Sequence, residues 1–351
     1  MPPYNASWTL QDGFLLAANG SKGAFVGTTT SRIMAGLMAA WPKPPSTAGV
    51  VVVNSTHLRR LALIGTYQAD QTLYLPSQVV LALNGTITAV HNVSGAVIAV
   101  HNASYVAIVG GHVTCQGLGP AAAGGGTLVG IQATNAPSLL IEGTNVSYCG
   151  QGGTANIHVR GEPFSSNAEI RNVETCYGLN RGIWTETISH VLIHGSHSHH
   201  NLADGIDFDA YTNGCMAWNN LLTNNGRCGV FIEEAASNTV TVNNTCIGNK
   251  FGISLYDNDA GPSSNNLVFG NWLLNNTELG LSFGARQPPK KDAMYNFFAA
   301  NTISGNPIGI SRNGNGESNY FTGNANFDGI ADRLLDISPA EAVIFSPFDR
   351  D

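Results

Sequence analysis

A repeat anchored on glycine runs through this 351-residue chain and restricts the folds that it can adopt. The segments "RGIWTET", "DGIDFDA", "CGVFIEE", "FGISLYD", "LGLSFGA" and "IGISRNG" align on six glycines, which are Gly182, Gly205, Gly229, Gly252, Gly280 and Gly309. Their spacings are 23, 24, 23, 28 and 29 residues. A period of this length indicates a solenoid, in which each repeat buries its apolar face only by stacking on its neighbours.

Each repeat contains a short strand in which apolar residues alternate. The residue after the glycine is Ile, Val or Leu in all six repeats, and the residue two places later is mostly apolar (Thr185, Phe208, Ile232, Leu255, Phe283 and Arg312). This alternation predicts a strand with one buried face. An asparagine precedes five of the glycines (Asn201, Asn225, Asn249, Asn276 and Asn306). Asparagine tolerates left-handed backbone, and its amide can stack between coils, so we predict an asparagine column at a turn.

The stretches before the repeats are similar to the opening coils of known β-helix proteins. "TSRIMAGLMAAW" (30–41) looks like a capping helix, and "GVVVV", "LALIGTYQADQTLYLPSQVVLALNGTI" and "YVAIVGGHVTCQG" look like first coils. The chain thus resembles the superfamily of β-helix carbohydrate-active enzymes that includes pectate lyases, polygalacturonases and alginate epimerases. The resemblance implies an all-β, single-stranded right-handed parallel β-helix with an N-terminal capping helix. We predict one domain, 1–351, with a cap region in 1–48, coils in 49–326 and a C-terminal capping tail in 327–351.

Composition excludes several kinds of partner. Only 11% of the residues are charged, the net charge is -7, and no three basic residues follow one another. We therefore expect no nucleic-acid partner. No apolar run reaches the roughly 18 residues that a membrane span needs, so we expect no membrane association. The sequence leaves the oligomeric state open.

Nine N-glycosylation sequons favour a secreted glycoprotein. Their asparagines are Asn5, Asn19, Asn54, Asn84, Asn92, Asn102, Asn145, Asn243 and Asn275. We expect an extracellular protein with N-linked glycans and a signal peptide already removed, because 1–9 lacks an apolar run. Six cysteines suit an oxidising compartment. Cys149 and Cys176 both follow an "NV" pair, so a disulfide between them is feasible if their segments stack.

The segment "DGIDFDAYT" (204–212) concentrates acids in a chain with few charges. With the apolar residues of this strand inside, Asp207 and Asp209 point outward. The same register places Glu186 one coil before and Glu233 one coil after, at a coil spacing of about 4.8 Å. We therefore predict an outward column of acids. Three outward aromatic residues lie among them, namely Trp184, Phe231 and Tyr256.

Paired carboxylates beside aromatic rings indicate cleavage of glycosidic bonds in a poly- or oligosaccharide. One carboxyl group stays protonated, the other is ionised, and the rings hold the sugar. We predict Asp209 and Glu233 as the catalytic pair, with Asp207 as partner or alternative. The stacked pair would lie about 5 Å apart, near the retaining distance, and the diagonal from Asp207 to Glu233 about 8 Å, in the inverting range. The predicted substrate-binding residues are Trp184, Glu186, Phe231, Tyr256, Arg181, Arg227, His199 and Lys250.

Two other functions are open. A Ca²⁺-dependent lyase or C5 epimerase acting on a uronate polymer needs acids for the ion and a basic residue as base. The candidate ligands are Asp207, Asp209, Glu233, Glu234 and Asp257, and the candidate bases are Arg181, Arg227 and Lys250. The hydrolytic function, in contrast, needs no cofactor. A non-catalytic glycan-binding or wall-binding β-helix predicts acids that are spread apart or neutralised by the two arginines.

Motifs of the related enzymes are only partly present. "LADGID" is similar to the first element of the polygalacturonase signature, with Asp204 at the matching position. The position of the family's double Asp holds Arg227 and Cys228. The later "GHG" and "RIK" motifs are absent, as is anything like the "DPHD" of the epimerases. These departures count against the polygalacturonase mechanism and against a role carried over to Asp204.

Histidines and insertions mark the edges of the predicted site. The run "HGSHSHH" (194–200) holds four histidines. We expect them in a turn next to Asn201, bonded to neighbouring coils rather than to a metal ion. The insertions "DNDAGPSSN" (257–265) and "ARQPPKKDAM" (285–294) follow acid-bearing strands, so we expect them to form walls beside that face. The second insertion would bring Arg286, Lys290 and Lys291 to the rim.

Overall fold

The computed structural model describes strands and turns. It covers residues 8–11, 14–17, 24–25, 59–90, 93–118, 127–161, 167–257, 260–285, 293–313, 319–324 and 334–335. No helix occurs in these ranges, so they contain no helical segment that could cross a bilayer. The fold class is confirmed as a parallel β-solenoid. The predicted capping helix at 30–41 and the rim residues of the second insertion, Arg286, Lys290 and Lys291, lie outside the described residues.

The first of two compact units comprises Met1–Gly161 and Ser165–Asn180. In this unit β1, β2 and β3 pair antiparallel, and the strands from β4 onward pair in parallel. The strands are β1 (Trp8–Gln11), β2 (Phe14–Ala17), β3 (Ala24–Phe25), β4 (Arg59–Ala69), β5 (Leu73–Tyr74), β6 (Val79–Ala89), β7 (Gly95–His101), β8 (Val106–Val109), β9 (His112–Thr114), β10 (Leu128–Thr134), β11 (Leu139–Glu142), β12 (Asn145–Ser147), β13 (Ala155–Arg160), β14 (Ala168–Arg171) and β15 (Glu174–Cys176).

The second unit comprises Glu162–Phe164 and Arg181–Asp351. Its strands are β16 (Arg181–Glu186), β17 (Val191–His194), β18 (His197–His199), β19 (Ile206–Asp209), β20 (Met216–Trp218), β21 (Leu221–Thr223), β22 (Cys228–Ile232), β23 (Val240–Val242), β24 (Thr245–Ile247), β25 (Phe251–Asp257), β26 (Leu267–Phe269), β27 (Trp272–Leu274), β28 (Leu279–Ala285), β29 (Phe297–Ala299), β30 (Thr302–Ser304), β31 (Ile308–Asn313), β32 (Tyr320–Thr322) and β33 (Leu334–Leu335).

Most coils of the second unit contribute one strand to sheet 1 and two strands to sheet 2. Sheet 1 is the parallel stack of β16, β19, β22, β25, β28, β31 and β33. Sheet 2 contains two parallel stacks, one of β17, β20, β23, β26, β29 and β32, and one of β18, β21, β24, β27 and β30. The prediction of one domain with separate cap and tail regions stays a prediction.

The interior of sheet 1 has the predicted alternation. Ile183, Ile206 and Val230 lie in register and are fully buried. The glycine column has a steric cause: a Cβ on Gly205 would lie 2.7 Å from the carbonyl oxygen of Gly229. Because this is backbone, which cannot move aside, the position accepts only glycine.

The predicted asparagine column is confirmed as a hydrogen-bonded ladder. We call Asn201, Asn225, Asn249, Asn276 and Asn306 the asparagine ladder. Oδ1 of Asn249 accepts from the backbone N–H and from Nδ2 of Asn225, both at 2.9 Å, and Nδ2 of Asn249 donates to the Leu222 carbonyl at 2.9 Å. A second ladder contains Asn220, Asn244, Asn271, Asn301 and Asn324. Buried amides thus find partners in the next coil.

The left-handed backbone lies one position before each ladder asparagine. Asn224, Gly248 and Asn275 have φ of 55°, 68° and 50°. We expected the ladder asparagines themselves to take this conformation, and that expectation was wrong. The preceding residue makes the bend, so the ladder side chain can point into the core.

The first unit contains a disulfide between Cys115 and Cys149, with a Cα–Cα distance of 5.1 Å. The expected bridge between Cys149 and Cys176 is wrong, because Cys176 is a free, buried thiol. The register explains the difference. Cys176 pairs with Ser147, whereas Cys149 lies two residues beyond Ser147, where the chain meets Cys115 after β9.

Candidate functional site

The acid column forms on the outward side of sheet 1. Trp184 pairs with Asp207 and Glu186 with Asp209 between β16 and β19. The backbone N–H of Glu233 donates to the carbonyl of Phe208 at 2.9 Å, so Glu233 continues the column past the end of β22. One carboxylate oxygen from each of Asp207, Asp209 and Glu233 lies within 4.8 Å of the other two.

These acids are nearly buried although they point away from the coil interior. Asp207 is 0% exposed, Asp209 6% and Glu233 3%. Asp204, at the turn before β19, is also 0% exposed. Since ionised carboxylates are costly to bury without partners, the site must supply compensating positive charge.

Arg181 lies within ion-pair distance of all four acids, with Nε 4.0 Å from Oδ2 of Asp204. Its Nε donates a hydrogen bond to Oδ2 of Asp207, and its second nitrogen lies 3.8 Å from Asp209 and 3.6 Å from Glu233. We expected this residue to bind substrate. Instead it lies inside the group of acids, with 14% of its side chain exposed.

Arg227 plays the matching role for Asp204. It forms a two-pronged hydrogen bond to that carboxylate, with Nε 2.8 Å from Oδ1, and the backbone N–H of Cys228 donates to the same oxygen at 3.0 Å. It also lies 3.7 Å from Glu233. We call Asp204, Asp207, Asp209, Glu233, Arg181 and Arg227 the acid–arginine cluster.

The pKa values of three acids of the cluster are raised, above all because the acids are buried. Burial raises the pKa of Asp207 well above its usual range, although Arg181 opposes the shift. Burial also raises the pKa of Asp209, against hydrogen bonds from Ala210 N–H and Trp184. Burial, followed by the charge of Asp209, raises the pKa of Glu233 to about 7. The cluster therefore retains protons near neutral pH.

The aromatic residues partly serve the cluster itself. Trp184 Nε1 donates to Asp209 Oδ2 at 3.0 Å, and Arg181 covers one face of its ring at 4.5 Å. Phe231 is only 6% exposed, with Arg227 4.2 Å from its ring centroid. Phe231 therefore offers little surface to a sugar. Tyr256 is half-buried, and its hydroxyl lies 2.7 Å from Ser282 Oγ.

The remaining predicted residues are distributed around the unit. Glu186 is half-buried at the end of β16 beside Asp209. Lys250 contacts Glu278 at 3.3 Å, and His199 lies on β18 in sheet 2 rather than on sheet 1. The sequence does not predict Asp204 as a site residue, although "LADGID" marks it, because Arg227 and Cys228 occupy the position of the double Asp in the polygalacturonase signature.

The histidine run forms a second polar group. We expected a turn, but His197 and His199 lie on β18, and this expectation was wrong. Their ring centroids are 4.2 Å apart, and Nδ1 of His199 is 2.8 Å from Nδ1 of His200. His194 instead stacks on Trp218, with 5.6 Å between ring centroids.

Comparison with known proteins identifies the family. A profile of the family described as periplasmic copper-binding protein (NosD) matches residues 107–329. The chain belongs to this family. A comparison with curated protein sequences gave no match. The NosD-family match spans the coils of the acid–arginine cluster and the histidine run.

Solved structures with the same fold come from several kinds of protein. The Dettilon tailspike protein (gp208) shares 14% identity at a TM-score of 0.60, covering 75% of this NosD-family chain, which spans only 55% of the tailspike chain. The exopolygalacturonase of Thermotoga maritima shares 14% identity at a TM-score of 0.59. The alignment covers 76% of this chain and 80% of the exopolygalacturonase. The Azotobacter vinelandii mannuronan C-5 epimerase AlgE4 A-module shares 13% identity at a TM-score of 0.51. The alignment covers 75% of this chain and 91% of the epimerase module. At these identities the likeness shows the fold alone.

Proposed function

We propose that the protein is a carbohydrate-active enzyme that cleaves glycosidic bonds at the acid–arginine cluster. The observation that carries the proposal is the pair Asp209 and Glu233. One oxygen of each carboxylate lies within 4.8 Å of the other, and burial and the Asp209 charge raise the pKa of Glu233 to about 7. Two carboxyl groups with separated protonation states are what this chemistry requires. The polygalacturonase and the epimerase that share the fold support a carbohydrate as substrate.

The spacing favours a retaining course. Retaining enzymes hold their carboxyl groups about 5–5.5 Å apart, and inverting enzymes about 6.5–9.5 Å. In this mechanism protonated Glu233 gives its proton to the leaving oxygen while the Asp209 carboxylate attacks the anomeric carbon. Glu233 then takes a proton from water, whose oxygen displaces Asp209. Hydrogen bonds from Trp184 and Ala210 stabilise the ionised form of Asp209 that the attack needs.

Asp207 fits a positioning role better than a catalytic one. It is fully buried and held by Arg181, whereas Asp209 and Glu233 each keep an exposed edge. Arg181 contacts all three acids, so Asp207 fixes the guanidinium that sets the charge around the catalytic pair.

The second candidate is a non-catalytic glycan-binding protein. Its support is specific: Arg181 and Arg227 contact the acids, as this alternative predicts. The argument against it is that burial and the charge of Asp209 raise the pKa of Glu233 to about 7 despite the two arginines, which a site that only binds does not need. The Ca²⁺-dependent lyase has weaker support, because two guanidinium groups within 4.0 Å of the same oxygens would repel a divalent cation.

We also propose that the protein is exported. The disulfide between Cys115 and Cys149 suits an oxidising compartment, and the family description names the periplasm. The sequon residues Asn84, Asn102 and Asn243 are exposed, which leaves them open to glycan attachment if the cell provides it.

A product assay tests the proposal. Neutral, uronate and fructan polysaccharides are incubated with the protein, and new reducing ends are measured beside the ultraviolet absorbance of unsaturated uronides. Hydrolysis gives reducing ends alone, and elimination gives the absorbing product. We expect hydrolysis that is lost in Asp209→Asn and retained in Glu278→Gln, an exposed acid paired with Lys250. Binding of a polysaccharide without any product would instead establish the glycan-binding alternative.

A further inference from the structure

The outward side of one strand stack of sheet 2 forms a continuous apolar surface. Each strand of the stack of β17, β20, β23, β26, β29 and β32 has two outward residues on either side of one inward residue. The parallel register aligns the outward residues of successive coils in two columns, which together we call the apolar face. The first column contains Leu192, Met216, Val240, Leu267, Phe297 and Tyr320. The second column contains His194, Trp218, Val242, Phe269, Ala299 and Thr322.

Four aromatic rings of the apolar face are open to solvent. Trp218 is 40% exposed, Phe269 43%, Phe297 42% and Tyr320 50%. Since an aromatic side chain has a surface of about 150–250 Å², the four together expose roughly 350 Å². An apolar patch of this size on a soluble protein is often an interaction site. The apolar face therefore has the size of a surface that binds a partner.

No residue of the apolar face is Asp, Glu, Lys or Arg. The outward residues of β11 and β14 in the first unit, in contrast, include Glu142, Glu169 and Arg171, and Arg171 pairs with the two acids at 3.0 and 3.1 Å. Outward positions of this solenoid therefore accept charge. The centres of protein–protein interfaces are poor in charged residues and rich in Trp, Tyr, Phe and Met. This composition predicts a protein partner whose own contact surface is apolar and uncharged.

The apolar face itself meets this requirement, because its large and small side chains are complementary. A second copy related by a two-fold axis parallel to the strands presents its coils in reverse order, with each column against its own equivalent. Every aromatic ring then meets a smaller side chain, as two interdigitating surfaces require. The four facing pairs are Trp218 with Ala299, Phe269 with Val242, Phe297 with Met216, and Tyr320 with Leu192.

A two-fold axis parallel to the coil stack fits less well. It would place the two columns against each other within the same coil. Trp218 would then meet the bulky Met216, whereas Val240 would meet Val242 and leave a gap beside the rings. Facing pairs of such uneven size either clash or leave cavities. The order of the side chains thus favours two copies whose coils run in opposite directions.

We propose that the apolar face is the contact between two copies of this chain, whose coils run in opposite directions across it. The rings of both copies contribute roughly 700 Å² of buried surface, nearly half of the about 1,600 Å² that a standard interface buries. The other outward residues of the face lie beside the rings and add to this area. The proposal does not rest on the carbohydrate function, because the apolar face shares no residue with the acid–arginine cluster.

Charged substitutions at two facing positions test the interface. Met216 and Phe297 lie three coils apart in one chain but face each other across the proposed contact. We expect the full wild-type chain to sediment as a dimer at micromolar concentration. Met216→Glu and Phe297→Lys should each raise the dissociation constant by at least about 30-fold, because each buries two isolated charges in the dimer. Leu202→Lys, at an exposed apolar residue outside the face, is the matched control and should leave the constant unchanged.

A mixture of the two variants tests the antiparallel pairing. Equimolar Met216→Glu and Phe297→Lys chains should form a heterodimer, in which the introduced charges face each other, and native mass spectrometry identifies it by mass. A mixture that stayed monomeric would overturn the proposal, as would an equal loss in the Leu202→Lys control. A monomeric wild type would also overturn it, and a shift of tryptophan fluorescence with a neutral polysaccharide would then assign the face to a glycan. Circular dichroism of every variant separates loss of contact from loss of fold.

Discussion

The asparagine ladder and the acid–arginine cluster bury polar groups in the same coils by different means. In the ladder each coil supplies the same residue at the same place, so the amides of Asn225, Asn249, Asn276 and Asn306 both donate and accept. In the cluster, acids of different lengths meet two arginines, and Oδ1 of Asp207 has no hydrogen-bond partner among the described residues. Repetition satisfies the ladder, whereas the cluster departs from repetition and keeps an unsatisfied atom.

The asparagine ladder serves stability, whereas the acid–arginine cluster has the properties of a functional site. A ladder adds hydrogen bonds without changing any protonation state. The cluster raises the pKa of Asp207, Asp209 and Glu233, which costs folding free energy and has no structural benefit. Local cost of this kind is concentrated at functional sites.

The largest expected effect is on catalysis. It tests whether the acid–arginine cluster alone carries turnover and the asparagine ladder only stability. Glu233→Gln removes the proposed general acid and should lower kcat by about 10²–10⁴-fold. Asn249→Ala, in the ladder, should leave turnover per folded molecule unchanged. Initial rates of reducing-end formation measure both variants, with circular dichroism giving the folded fraction. A ladder variant that lost turnover equally would remove the distinction.

Removal of an arginine should destabilise the fold more than any ladder change. Arg181→Met leaves Asp207 and its neighbours without their main counter-charge, and breaking a buried ion pair in this way costs about 3–5 kcal/mol. Urea unfolding at neutral pH measures the loss. The double variant Arg181→Met/Asp207→Asn should recover part of it, because the unpaired charge is gone. If the double variant were as unstable as the single variant, packing rather than charge would explain the loss.

The pH dependence of stability should come from the cluster and not from the ladder. The folded-state pKa of Glu233, about 7, lies above its ordinary value of 4.5, so the folded state binds the extra proton. The extra proton on Glu233 adds about 3 kcal/mol to the free energy of unfolding. This contribution is complete below about pH 4.5 and is lost as pH rises through 7. Unfolding free energies across this range should fall with pH in the wild type and fall less steeply in Glu233→Gln. Asn249→Ala should shift the curve downward without changing its slope.

The smallest effect should distinguish the middle of a ladder from its end. Asn249→Ala leaves two donors of Asn225 and the Leu222 carbonyl unpaired in the core, at a cost of about 1–3 kcal/mol. Asn324→Ala, at the end of the second ladder and half-buried, should cost less because water can reach the groups that it frees. Urea midpoints compare the two. Equal losses would indicate that position along the ladder has no influence.

The repeat made the backbone predictable. Glycine spacing, alternation and asparagine position predicted sheet 1, its register and the ladder, because a solenoid aligns equivalent residues of successive coils. The same register predicted that Asp209 and Glu233 come together.

Features outside the repeat were less predictable. Arg181 and Arg227 precede their glycines by one and two residues, and nothing in that spacing shows that their long side chains turn back onto the acids. The near-complete burial of the acids follows from this contact. The disulfide partner of Cys149 was missed for a similar reason, since both cysteines lie just beyond the ends of paired strands.

The glycine column also limits how such a chain can change in length. Gly205, Gly229, Gly252 and Gly280 each face a carbonyl oxygen of the following coil, which lies 2.7 Å from where a Cβ would be for both Gly205 and Gly229. Duplication of a whole period, such as 229–251, would copy the glycine together with its ladder asparagine and preserve every contact. An insertion of a few residues would move the glycine out of its column and the asparagine out of its ladder, unless the insertion formed a loop between strands. Gene duplication in complete coils is therefore the route of growth that this architecture tolerates.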